Sequence, residues 1–121
     1  MSPRPGLTAT TGLVVGADDT AAALGSGDVD VLGTPRLLAL CEAATVAALA
    51  GRLDSGLTSV GTRVEVDHRR PSRLGAYVQA TAVLREVAGR RLVFDVAATE
   101  PDGPVASAVI VRTVVPRASF G

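Results

Sequence analysis

Between Leu37 and Ala48 the chain reads LLALCEAATVAA, twelve residues of which only Glu42 is charged. The run falls short of the ~20 residues that cross a bilayer. A helix built from it is apolar on far more than one stripe, so other structure must enclose it. Thr34-Pro35 marks its start, with threonine as N-cap and proline in the first turn. Asp54, Ser55 and Gly56 stop it, which predicts a helix from Thr34 to about Leu53.

Strands surround this helix in sequence. Gly6 to Val15 alternates, with Leu7, Ala9, Leu13 and Val15 on one side. Residues 16–33 are rich in Gly and Asp and read as a long loop with room for one helical turn; loops of that length often border sites. After the helix, Ser59 to Arg69 places Thr62, Val64, Val66 and His68 on one face and Arg63, Glu65 and Asp67 on the other. Ala76–Val87, a turn at Ala88-Gly89, Arg91–Thr99, a turn at Pro101–Pro104 and Val105–Val115 complete the set. The pattern is α+β: a five-stranded, largely antiparallel sheet wrapped around one central helix. The 121 residues suffice for one domain, with loose ends expected at 1–5 and 116–121. One sheet and one helix leave apolar surface to cover, which pairing two copies would achieve.

Composition narrows the functional classes. Twelve arginines, with no lysine, balance twelve acidic residues, so the clustered positive excess of a nucleic-acid or membrane-surface binder is missing. Cys41 is the only cysteine, which rules out an internal disulfide and points to a reducing, cytoplasmic setting. The opening MSPRPGLTA lacks a signal peptide's apolar run. One His and one Cys are too few for a metal site, and no glycine-rich dinucleotide fingerprint occurs. No cofactor is expected.

Three charges fall on apolar faces. Glu42 has Leu38, Ala39, Thr45 and Val46 as helical neighbours and therefore no basic partner on its own helix. An unpaired buried carboxylate costs several kcal/mol, so Glu42 needs a partner, solvent or a proton. His68, the only histidine, ends an apolar strand face, and a carboxylate is the usual group that orients an imidazole. Arg112 shares parity with Ala106, Ala108, Ile110 and Val114. In one pocket these three groups solve one another's burial problem.

The series Thr34, Glu42, Gly61, His68, Arg112, with its spacings, resembles the fluoroacetyl-CoA thioesterase-like branch of the hotdog-fold thioesterases. The resemblance runs from about Leu32 to Val115 and includes GRRL at 89–92, which reads as structural. It implies thioester hydrolysis at a site between two subunits of a homodimer; the sequence leaves open whether two dimers pair into a tetramer. It also implies catalytic roles for Thr34, Glu42 and His68, a backbone amide at Gly61 holding the thioester oxygen, and an active-site place for Arg112. Coenzyme A would enter only as part of the substrate, with an acyl-carrier thioester as the other form. Two points set this chain apart. The family's fluoroacetyl-specific member carries aromatic rings before the helix, whereas LGSGDVDVLG at 24–33 has none, so another short or medium acyl group is expected. Eight residues of straight helix also separate Thr34 from Glu42 by ~12 Å, so Thr34 either curls back or serves as the cap.

HRRPSR supplies Arg69, Arg70 and Arg73 beside His68, a cluster suited to a carrier's phosphates or to a solvated turn. Cys41 reads as a buried structural thiol. Two rival functions fit the same elements: a hydratase or dehydratase of this fold, and a non-catalytic module that binds acyl-CoA or another hydrophobic ligand.

Overall fold

A computed structural model describes residues 2–120. Met1 and Gly121, part of the expected loose ends, lie outside the described residues. The elements are β1 (Thr8–Val14), a 3₁₀ turn (Ala17–Asp19), a short helix α1 (Ala21–Leu24), the main helix α2 (Thr34–Ala48), β2 (Leu57–His68), β3 (Tyr77–Ala88), β4 (Arg91–Glu100) and β5 (Gly103–Pro116). A final 3₁₀ turn covers Arg117–Phe120. All strand pairs are antiparallel, in the order β1-β3-β4-β5-β2. No helix among the described residues is long and apolar enough to cross a membrane.

This order dictates where the helix lies. β1 and β2 flank α2 in sequence yet occupy opposite edges of the sheet. The connection must traverse the whole sheet, and α2 does so against its inner face. Leu37, Leu40, Cys41, Ala44 and Ala48, at helical spacing, enter the core. They meet Val78, Ala80, Ala82 and Leu84 of β3 and Phe94, Val96 and Ala98 of β4. The alanines allow a close approach of helix to sheet, and Phe94 is the one bulky ring among the core residues. A core with few aromatics follows. Thr11 of β1 anchors the helix by donating a 2.9 Å hydrogen bond to the Leu40 carbonyl.

The strands agree with the alternation, but three details differ. First, α2 ends at Ala48, not near Leu53. Beyond it, Ala50 and Arg52 bond back three residues, to Ala47 and Leu49, and Gly51 turns the chain at φ 73°, a conformation suited to glycine. Leu49 and Leu53 still pack on the core, so their apolar spacing misled the boundary. Second, Gly33 is the N-cap of α2, with no side-chain cap bond, and Thr34 is already helical. Third, the register of β2 against β5 shifts between Gly61 and Arg63. The extra residue, Thr62, is therefore turned out to bond Thr113 and is exposed, where strict alternation placed it inward. The expected loop at 16–33 is more ordered than a plain loop. It holds the two short helical pieces and a bridge from Thr20 to Leu32.

Replacing Leu37, fully buried at the helix–sheet contact, with alanine should lower the unfolding free energy by about 2–5 kcal/mol. Urea denaturation at fixed protein concentration measures this; a loss under ~1 kcal/mol would show that α2 is not packed as described.

Candidate active site

Arg112 projects from β5 onto the inner face and is only 7% exposed. A guanidinium there needs acceptors, and Ser59 of β2 supplies two. Nε donates to Ser59 Oγ at 2.8 Å and Nη2 to its backbone oxygen at 3.0 Å. Nη1 lies 3.7 Å from Glu42 Oε2, a Coulombic contact longer than a hydrogen bond. Burial lowers the basicity of Arg112, and Glu42 acts against that. Alternation would have aimed Gly61 outward with Arg63; the bulge turns it inward, opposite Arg112. A Cβ at Gly61 would stand 2.6 Å from Glu42 Oε2, so a larger residue there would push the carboxylate from this position. Glu42, Gly61 and Arg112 thus form one cluster, with the Glu42 side chain still 37% exposed.

His68 forms a second cluster. Thr34 Oγ1 and His68 Nδ1 are 2.8 Å apart. Because Gly33 takes the cap position, the Thr34 hydroxyl is available to the imidazole. Nε2 is buried with no hydrogen-bond partner. Burial lowers the imidazole pKa from its ordinary value, and the Arg70 backbone offsets this only in part. The pair borders a cleft of about 240 Å³ shared with Ala21, Ser26, Val31 and Leu32, and with Arg69 and Arg70. The start of α2 is fixed from the preceding loop. Asp19 accepts from Gly16 N at 2.8 Å and Arg36 Nε at 3.1 Å, and its carbonyl accepts from Gly33 N at 2.9 Å.

The sequence-derived residues therefore fall into two groups, Thr34–His68 and Glu42–Gly61–Arg112. Among the described residues no hydrogen bond or ion pair joins Glu42 to His68 within the chain. Two turns of α2 separate Glu42 from Thr34, the partner of His68. Arg69 is exposed, 3.7 Å from Asp67. Arg70 is turned to Asp102 (2.6 Å) and Glu100 (3.7 Å). Burial, and then the Glu42 charge, pushes the Cys41 thiol up to about 11, which keeps it protonated and poorly nucleophilic. Sequence reasoning missed Ser59, Asp19 and Arg36. A signal for Ser59 existed: an arginine on an apolar strand face requires acceptors from the neighbouring strand.

A helix crossing a curled five-stranded antiparallel sheet defines the hotdog-fold class. The model of the family "Fluoroacetyl-CoA-specific thioesterase" matches residues 15–118. The fluoroacetyl-CoA thioesterase of Streptantibioticus cattleyicolor is 36% identical over 86 residues, 71% of this chain and 62% of the relative. The match thus spans less than two thirds of that relative. A solved structure of the fluoroacetyl-CoA thioesterase FlK superposes with a TM-score of 0.91 at 31% identity, covering 99% of this chain and 93% of that one. A hot-dog-like protein from Thermanaerovibrio acidaminovorans gives a TM-score of 0.87 at 29% identity, covering 96% and 86%. The chain belongs to the fluoroacetyl-CoA-specific thioesterase family.

Having one histidine makes a direct check simple. Burial within its own chain disfavours the imidazolium, so with no carboxylate brought from outside the chain the proton should leave below the ordinary histidine pKa of about 6.5. NMR titration of the single imidazole in the Glu42→Gln variant tests this; a midpoint at or above about 6.5 would mean the ring is solvated.

Proposed function

We propose that the protein hydrolyses the thioester of a short- or medium-chain acyl group borne by coenzyme A or an acyl carrier. The site comprises Thr34, Glu42 and His68, with the Gly61 amide and Arg112, and is completed where two copies of the chain meet. The observation that carries this reading is the Glu42 carboxylate, set against Gly61 by a buried arginine yet open on its far side. A purely structural ion pair has no need of that glycine or of that opening.

Hydrolysis needs an electron pair for the carbonyl carbon, donors for the oxygen and a proton for the departing sulfur. Glu42 supplies the first, by direct attack or by taking a proton from water. The Gly61 backbone amide, at the bulge, serves the oxyanion. His68, whose neutral form is favoured by burial within its own chain, takes up and returns the proton, oriented by Thr34 at Nδ1. Water and thioester become carboxylic acid and thiol.

Two copies are invoked because the two clusters sit ~12 Å apart along one helix. The open side of α2 is also apolar, with Ala39, Ala43, Ala47 and the 53%-exposed Val46. A two-fold pairing with antiparallel helices covers this side and sets Glu42 of one copy beside His68 of the other. The acyl group would enter the cleft lined by Ala21, Val31 and Leu32, and Arg69 would meet the carrier's phosphates. With no aromatic residue between 24 and 33, fluoroacetyl-CoA should hold no advantage over acetyl-CoA.

An acyl-CoA panel with a thiol-detecting reagent tests the reading. Free thiol should appear, and Glu42→Gln and His68→Ala should each lower kcat by ~10²-fold or more with the fold intact. Failure of every acyl-CoA to release thiol would overturn the proposal. Saturable binding without turnover would replace it with a ligand-binding role.

A further inference from the structure

We infer that Arg70, Ser72 and Glu100 form a brace that holds the cleft wall beside His68, making Arg70 a positioning residue and not a phosphate ligand. This rests on the thioesterase reading for its kinetic test, though not for its structural one.

Ser72 is fully buried and donates to Glu100 Oε2 at 2.7 Å. The other carboxylate oxygen, Oε1, lies 3.7 Å from Arg70 Nη2, which also donates to Asp102 Oδ1 at 2.6 Å. Arg70 holds the Asp102 carboxyl below its ordinary range. Glu100 ends β4 and Asp102 lies in the turn to β5, and the guanidinium lies over Gly103, where a Cβ would stand 3.0 Å from Nη1. The turn is thus cleared for the arginine head. Backbone bonds extend the same tie. Arg69 N and Arg70 N both donate to the Val105 carbonyl, at 2.9 and 3.2 Å.

Ser72 is the joint between sheet and cleft. Its hydroxyl is fixed to Glu100, while its carbonyl accepts from Leu32 N at 2.8 Å, and Val31 bridges to Arg73. Val31 and Leu32 line the cleft, and Thr34, which bonds His68, follows two residues on. Removing Glu100 would strand a buried hydroxyl, a loss the surrounding chain can relieve only by moving. A cation already engaged by two carboxylates also has little left to offer a phosphate, whereas Arg69 has a single distant partner.

The test compares Arg70→Ala and Glu100→Ala on an acyl-CoA and on the N-acetylcysteamine thioester of the same acid, which lacks phosphates. A brace predicts that kcat/KM falls by the same factor on both, about tenfold and mainly in kcat, while the Leu32 amide exchanges about tenfold faster. Glu100→Gln, which keeps an acceptor for Ser72, should recover most of the rate. A loss confined to acyl-CoA, seen in KM, with Leu32 exchange unchanged, would overturn the inference and restore Arg70 as a phosphate ligand. If Glu100→Ala does not fold, Asp102→Asn, on the exposed side of Arg70, carries the same comparison. Should the wild type turn over neither thioester, the functional reading fails, and Leu32 exchange alone decides the brace.

Discussion

Arg112 places a full positive charge on the inner face of a sheet, and the arrangement of the site follows from matching it. Leaving a buried charge unpaired costs several kcal/mol, so the neighbouring strand and the crossing helix must each present an oxygen. Ser59 gives two acceptors at hydrogen-bond distance and Glu42 a third group at 3.7 Å. The weaker contact is the useful one. Glu42 is held in place by attraction without being consumed by a bidentate pair, which leaves a carboxylate with free lone pairs facing the open side of the helix.

The crossing helix sets the rest. Because its flanking strands take opposite edges, α2 lies across the sheet, with one side in the core and the other uncovered. Its N-terminus reaches the end of β2, where Thr34 meets His68, and its middle reaches Gly61 and Arg112. A single chain therefore presents the imidazole at the start of the helix and the carboxylate two turns further along it. The proposed pairing of two copies resolves both facts together: it buries the uncovered side and brings the two chemistries onto one carbonyl.

Much of the fold was legible because alternation and helical spacing are direct consequences of burying one face. The five strands, the central helix and the inward places of Val64, Val66, His68 and Arg112 all follow from that. What escaped was whatever one extra residue or one competing partner decides. Thr62 obeys alternation on paper, but a bulge removes it from the ladder and brings Gly61 inward, so periodicity alone misplaces the glycine that matters most. The cap at Gly33 was hidden because threonine is the better cap by type, while here its hydroxyl is engaged by His68. Arg70 looked free because its carboxylates lie some thirty residues downstream, across a turn that no local pattern connects to it. Ser72 gave no signal, since a serine in a polar turn is ordinarily exposed.

The central claim is that Glu42 and His68 act on one substrate from different subunits. Co-expressing Glu42→Gln and His68→Ala chains tests this directly. In a mixed dimer with shared sites, one site carries both defects and the other carries none, so the statistical mixture should regain about a quarter of wild-type activity. Activity no higher than that of the two parent variants, with mixed dimers verified by mass, would place both residues of each site in the same chain and contradict the account.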